Sequence, residues 1–472
     1  MQGDLINFKS FIVICVLISL ISPLHAIIFP YVYPRLKLEA KTSGDAGDPL
    51  ILTPYLKKGS IAEAQKLSRV SLTDRVGFPS HAGFFTVEEK YNSNLYFWYF
   101  PPISKNADAP VVLWLQGGPG GSSLFGLFTE LGPLIAKKDG FALRKYHWAL
   151  KNHLIFIDNP VGTGFSYTND DKGYCSDEKC VAKGLYNAMQ QFFTLFPDLR
   201  NNTFCITGES YAGKYIPALA MEIHNQNDNG DDELINLKCL AMGNAYCDPV
   251  HQIDYGNYLY QHGLIDNNQL EVFEKYQTDI AAEIQNENWE KADILMDKLM
   301  DGELTNFSYF KSYTGFTDYY NFLKTDNDDD MSIFTDLLQN DKLRHSIHVG
   351  GLPFNSGEEV QIHLAFDILK SVAPDITELL SHYRILFYNG QLDIIVAYPL
   401  TENFLRNLNF SSAEEYKKAT RNVWKVGDDI AGYWKKAGNL TEVLVRNAGH
   451  MVPHDQPKWA LNLITRFIQG KF

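Results

Sequence analysis

Residues 207–215 read TGESYAGKY. A short apolar run, Phe204–Ile206, leads into them, and Tyr215–His224 follows with apolar residues at helical spacing. Strand, sharp turn and helix form the setting in which a serine is lifted out of a sheet for attack, the G-x-S-x-G elbow. Here Ala212 stands where the second glycine is usual. The demand at that place is for a small residue, because strand and helix approach closely around the turn, and alanine meets it. The residue before Ser210 raises a second question. Glu209 puts a carboxyl group beside a nucleophile that becomes more negative as it attacks.

The pattern of apolar run and polar turn recurs along the chain. VVLWL (111–115), LIFI (154–157), LAM (240–242), ILFY (385–388) and VLV (443–445) join FCI (204–206) as unbroken apolar runs. Such runs suit strands covered on both faces. Between two of them, the stretch 183–196 sets Leu185, Met189, Phe192, Phe193 and Phe196 on one helical side. The alternation predicts an α/β fold with a central sheet. It breaks between residues 250 and 380, where 265–299 is polar, charged and helical in rhythm. That region reads as a mostly helical cap inserted between two parts of one core, 81–249 and 381–472, or as a separate domain.

A serine nucleophile needs a base, and the base needs an orienting carboxylate. On this kind of sheet the order is serine, acid, histidine, each at the carboxyl end of a strand. Asp393 ends ILFYNGQLD (385–393), an apolar run followed by a glycine turn. His450 lies in VLVRNAGHMVP (443–453), again behind an apolar run and a glycine. His454 is the runner-up, among prolines that mark a surface turn, and His345 and His348 have no strand before them. The glycines of WLQGGPGGSS (114–123) would let backbone N–H groups face a reacting oxygen, with the N–H of Tyr211 as a second donor. Neither a Walker A nor a G-x-G-x-x-G pattern is present in that loop, so a nucleotide-binding reading fails.

Taken in order, WLQGGPGGSS, IDNPVGTGFSY (157–167), TGESYAGKY, YNGQLD (388–393) and GHMVPHDQP (449–457) resemble the serine carboxypeptidases. LWLQGGPGGSS (113–123), IHVGG (347–351) and YNGQLDIIV (388–396) are most similar to the vitellogenic carboxypeptidase-like branch. The resemblance runs from about residue 45 to the C-terminus. It implies an α/β-hydrolase fold with a mixed central sheet and a cap, no cofactor, and release of single residues from peptide C-termini through an acyl-enzyme. It also implies Ser210 as nucleophile, His450 as base and Asp393 as its partner. Gly118 and Tyr211 would supply the oxyanion donors. Gln116, Gly117, Glu130 and Glu209 would meet the peptide's terminal carboxylate. Two residues depart from the family: Gln116 stands where most members have asparagine, and Gly121 where the common motif has cysteine. The disulfide made by that cysteine is therefore absent.

The resemblance gives Glu209 a physical purpose. An ionised Glu209 would repel both the substrate carboxylate and the oxyanion, whereas a protonated one donates a hydrogen bond. Two carboxyl groups sharing one site hold a proton tightly, because both cannot ionise cheaply. Glu130, in GLFTELGP (126–133), is the expected partner. Activity favoured at acidic pH follows.

Composition limits the alternatives. The 472 residues carry a net charge of −14 and a pI near 5.4, with no basic stripe, which argues against a nucleic-acid partner. Lys9, the apolar run 11–21 and Ala26 read as a secretory signal over residues 1–26. That run is shorter than the roughly 20 residues that span a bilayer, and no later one is longer, so no stable membrane span is expected. Export follows, to the outside or to a lysosome-like acidic vesicle. Residues 27–80 read as an N-terminal extension or a removable pro-segment. Sequons at Asn201, Asn306, Asn409 and Asn439 fit export. Of the cysteines left after the signal, Cys175 and Cys180 could close a small loop, while Cys205 and Cys239 read as buried free thiols. The acidic runs 326–330 and 225–236 both fail the EF-hand pattern, and no metal is expected. A lipase, esterase or acyltransferase on the same core is the competing enzyme class. A binding or protective protein with a vestigial site is the non-enzymatic one.

Overall fold

The structure, a computed structural model, describes residues 33, 36–41, 44–137, 140–230, 232–326 and 332–472. The expected export signal and most of the 326–330 acidic run lie outside the described residues. Along the chain come β1 (His81–Glu88), β2 (Ser93–Phe100) and β3 (Val111–Leu115), then the hairpin of β4 (Leu134–Lys137) and β5 (Gly140–Leu143). β6 (His153–Ile157), the two-residue β7 (Thr163–Gly164), β8 (Phe204–Glu209) and β9 (Leu237–Gly243) follow. The two-residue β10 (Asn355–Ser356), β11 (Arg384–Gly390), β12 (Asn422–Val426), β13 (Asp429–Ala437) and β14 (Leu440–Val445) complete the set among the described residues.

Ten of these strands form one mixed sheet in the order β1-β2-β6-β3-β8-β9-β11-β14-β13-β12. The central run from β6 to β14 is parallel, and the two strands at each end are antiparallel. Each central strand contains one of the apolar runs read from the sequence. Leu113, Ile155, Ile206 and Leu240 feed a core on one face, while Val112, Leu154, Leu386 and Val443 feed a second core on the other. Burial on both faces explains why these runs do not alternate with polar residues. The helices Glu178–Leu195 and Ala212–Asn229 cover the first face through Leu185, Phe192, Ile216 and Leu219. The C-terminal helix Pro457–Ile468 covers the second through Leu463, Ile464 and Phe467. Fully burying each such side chain contributes about 1.5–3 kcal/mol.

The stretch between β9 and β11 is mostly helical, including Asn267–Gln285, Trp289–Met296 and Glu358–Ile368. The N-terminal extension is woven into the rest. Leu38 bridges to Phe354, Ile51 to Phe84 and Arg69 to His81, and Leu52, Ala64 and Val70 are fully buried.

The cysteine expectation needs one correction. Cys175–Cys180 is a disulfide, and Cys247 is a buried free thiol. Cys205 and Cys239 are not free: they are bonded to each other. Their apolar surroundings were read properly, but β8 and β9 run side by side with Cys205 directly opposite Cys239. Register between strands distant in sequence decides the pairing, and composition does not reveal it.

Candidate active site

Parallel strands bring their carboxyl ends to one edge, and the chain leaves that edge at Gln116, Glu209, Asn244, Asp393 and His450. The elbow is tight. A Cβ on Gly208 would come within 2.3 Å of the Leu115 carbonyl and 2.8 Å of the Ala212 Cβ. Glycine is thus required at 208, where the Ala212 methyl group already lies close. Ser210 has φ of 60°, a left-handed conformation that costs on the order of 1–3 kcal/mol for a residue with a side chain. Neighbouring bonds hold it there. Its N–H donates to the Gly243 carbonyl at 2.9 Å, and its carbonyl accepts from the N–H groups of Gly213 at 2.9 Å and Tyr246 at 3.0 Å.

Asp393 is fully buried, and four donors converge on it. They are His450 Nδ1 at 2.9 Å, Asn244 Nδ2 at 2.7 Å and the N–H groups of Ile395 at 3.1 Å and Val396 at 3.2 Å. With Nδ1–H of His450 donating to Asp393, the Nε2 lone pair is left for a hydroxyl. Ser210 Oγ and His450 Nε2 are both buried, and neither makes a hydrogen bond in this structure. The bond between them is therefore open here, as catalytic bonds often are before substrate binds. The inserted region braces the backbone at His450 and next to Asp393. The His450 N–H donates to the Tyr320 carbonyl at 2.7 Å, and the N–H groups of Ile394 and Ile395 donate to the Tyr319 carbonyl at 3.1 Å.

His454, the runner-up, is turned elsewhere, with its Nδ1 3.0 Å from the Thr129 carbonyl. His348 places Nε2 3.0 Å from the Arg69 carbonyl. The glycine loop lies against the elbow: a Cβ on Gly117 would meet the Tyr211 nitrogen at 2.6 Å and the Ser210 Cβ at 2.8 Å. Gly118 has φ of 121°, and a cis bond joins it to Pro119. Tyr211 is the N-cap of the helix Ala212–Asn229, so its N–H lies at the positive end of that helix.

Glu130 and Glu209 meet around one amide. Trp114 Nε1, which can only donate, lies 2.8 Å from Gln116 Oε1 and so fixes the amide's orientation. Gln116 Nε2 then donates to Glu130 Oε1 at 2.9 Å and to Glu209 Oε1 at 2.8 Å. A Cβ on Gly126 would strike Trp114 Nε1 at 2.3 Å, so this arrangement needs glycine there. Both acids are buried, the second oxygen of each accepts from no donor group, and the two carboxyl groups hydrogen-bond to each other. Burial, and then the charge of Glu130, push the Glu209 carboxyl well above its usual range; burial raises Glu130 as well. The expected proton-sharing pair is thus in contact with a common donor and starved of others.

Three participants were not evident in the sequence. Asn244 ends β9 at the same sheet edge, a position that could have marked it. Trp114 read as part of an apolar strand. Tyr33, whose hydroxyl donates to Glu209 Oε1 at 2.9 Å, carried no sequence signal. Among the sequons, Asn201, Asn306 and Asn409 are exposed. Asn439 is half-buried, with its Nδ2 on the Leu380 carbonyl at 3.0 Å. No helix among the described residues is long and apolar enough to cross a membrane.

Comparison with known proteins identifies the family. A family profile described as serine carboxypeptidase matches residues 71–470. The chain is 49% identical to the venom serine carboxypeptidase of Apis mellifera, over 94% of this chain and 96% of the bee protein. It is 48% identical to the vitellogenic carboxypeptidase of Aedes aegypti, over 91% of this chain and 92% of the other. It is 46% identical to the human probable serine carboxypeptidase CPVL, over 91% of each. Among solved structures, a prohormone-processing carboxypeptidase of Saccharomyces cerevisiae superposes with a TM-score of 0.72 at 25% identity, covering 86% of this chain and 96% of the yeast one. The fold is that of the α/β-hydrolases, and the chain belongs to the serine carboxypeptidase family.

Proposed function

We propose that this serine carboxypeptidase cuts the last peptide bond of peptides and proteins with Ser210, His450 and Asp393 as its triad, and works best at acidic pH. His450 Nε2 takes the Ser210 proton as Oγ attacks the scissile carbonyl. The oxyanion that forms is stabilised by the N–H groups of Gly118 and Tyr211. His450 passes the proton to the leaving amine, and the C-terminal amino acid departs. Water, deprotonated by the same imidazole, then hydrolyses the acyl-enzyme and restores Ser210. Asp393 holds the ring and balances the imidazolium.

The observation that carries the reading is the buried Glu130–Glu209 pair, with Gln116 bridging it, directly beside the nucleophile. An endopeptidase, lipase or esterase has no use for a neutral acid couple there. For an exopeptidase the couple, with Gln116 and the Gly117 backbone, receives the terminal carboxylate without a cationic residue. Binding weakens once the couple loses its proton, which gives the acidic preference.

Residues 81–249 and 381–472 would form the catalytic core and 250–380 the cap that shapes specificity. The burial of Leu52 and Val70 favours an extension that stays with the mature chain. Export to the outside or to a lysosome-like vesicle, with glycans on exposed Asn201, Asn306 and Asn409, completes the reading.

The test is a digest of a peptide panel from pH 4.5 to 8, read by mass spectrometry, alongside labelling by a fluorophosphonate. Stepwise C-terminal trimming and labelling lost in Ser210→Ala are expected. Internal cuts, or no labelling of folded protein, would overturn the proposal.

A further inference from the structure

Tyr33 comes from the N-terminal extension, 176 residues before Glu209, yet it is 4% exposed and its hydroxyl reaches Glu209. Its ring packs on Phe125 with centroids 5.4 Å apart and planes tilted by 55°. Its other neighbour is Gly121. A Cβ at 121 would come 2.7 Å from Cδ2 of the Tyr33 ring. The space that holds the ring exists because residue 121 is glycine. This is the position where the chain departs from the family's common cysteine.

The hydroxyl changes the hydrogen-bond arithmetic of the acid pair. Glu209 Oε1 accepts from both Gln116 Nε2 and Tyr33, while Glu130 Oε1 accepts from the second N–H of the same amide. Two donors on Glu209 Oε1 leave that oxygen a poor place for a proton. The two carboxyl groups hydrogen-bond to each other, and their Oε2 atoms, which accept from no donor group, are left to hold the proton and to meet a ligand. We propose that Tyr33 is a positioning residue of the carboxylate site, holding Glu209 Oε1 so that the shared proton stays on the oxygens offered to the substrate's terminal carboxylate. This rests on the exopeptidase reading above and adds a fixed member to its site, from a segment the family motifs do not include.

The groups facing Glu209 are Glu130, Gln116 and Tyr33, with Asp393 and Tyr388 further off; those facing Glu130 include His450 and His454. Tyr33 is the one that donates from outside the sheet and its loops. Removing its hydroxyl takes away an interaction that lowers the Glu209 pKa. The pair should then keep its proton to higher pH, but bind less well while it does.

The experiment compares the parent with Tyr33→Phe and Tyr33→Ala in the full mature chain. Steady-state kinetics are run from pH 4.5 to 8 on a blocked dipeptide with a free C-terminus and on its C-terminal amide. Calorimetry measures binding of the blocked amino acid product, which needs no turnover. For Tyr33→Phe, KM and product Kd for the free acid should rise about fivefold, the loss of one hydrogen bond. Its kcat, its fluorophosphonate labelling and its KM for the amide should hold, and the alkaline limb of kcat/KM should move to higher pH. Tyr33→Ala should weaken binding at least as much. Unchanged or tighter binding of the free acid in either variant would overturn the proposal, since Tyr33 would then be filler or a competing occupant. So would an equal loss on the amide. Failure of the parent to take the label would count against the triad instead, leaving the calorimetric arm to decide Tyr33.

Discussion

Asp393 and Glu209 are both buried carboxyl groups on one edge of one sheet, near the same serine, and the protein treats them oppositely. Asp393 receives four hydrogen bonds, one from a histidine, one from Asn244 and two from the backbone. Glu209 accepts two from donor groups on one oxygen and none on the other, and hydrogen-bonds to a second acid. Donors favour the anion, and burial without them disfavours it. In the proposed mechanism one carboxyl would support a cation that forms during the reaction, and the other would bind an anion by staying neutral. The residue type carries neither role; the surroundings do.

Breaking the donor-rich side should cost the most. Asp393→Asn removes the charge that orients and balances His450 and should lower kcat about 10⁴-fold while leaving KM within a few-fold. A comparable KM change in stopped-flow and steady-state assays would show that the two pockets are not separate. Asn244→Ala removes one of the four donors and should reduce kcat about tenfold, again without a large change in KM. On the donor-poor side, Glu209→Gln mimics the protonated acid. At pH 8 its KM for a free-acid dipeptide should fall below the parent's, and at pH 5 the two should agree within about threefold.

Asp293 extends the comparison away from the site and carries the smallest expected effect. It is fully buried with no hydrogen bond to either oxygen, and burial, then the charges of Asp297 and Glu290, push its carboxyl up to about 8. Between its ordinary 3.8 and about 8, the unfolded chain has lost this proton and the folded one keeps it, so the group makes stability fall as pH rises. Asp293→Asn should raise Tm at pH 8 by about 2–4 °C and by less at pH 5. A gain that is the same at both pH values would deny that missing donors govern this carboxyl.

The central sheet and the places of Ser210, Asp393 and His450 at its edge were legible because each signal was local. An unbroken apolar run followed by a glycine turn marks the end of a buried parallel strand, and Ser210, Asp393 and His450 each sit there. The edge strands were harder. The residues of β12 and β13 mix buried and exposed positions without an unbroken apolar run, and β2 is an aromatic run close in character to core sequence of any kind. Even so, Gly427-Asp428 and Gly438-Asn439, each between two strands, are two-residue hairpin signals that could have found β12 and β13. The Cys205–Cys239 bond and the contacts of Tyr33 were out of reach for a different reason. Each depends on how distant segments register against one another, and no local pattern encodes that. Gly121 marks the difficulty well. In sequence it is a departure from a motif, and in the structure it is the hollow that admits a ring from the N-terminal extension.

The account stands on a proton shared by Glu130 and Glu209 in the resting protein. Its most direct measurement is the pH dependence of KM, from 5 to 8, for one blocked dipeptide presented as the free acid and as the amide. Above the pair's pKa, the free acid should bind about tenfold more weakly for each unit of pH, and the amide should show no such trend. Parallel curves for the two substrates would contradict it, and would return Glu209 to the role of a residue that merely shapes the turn.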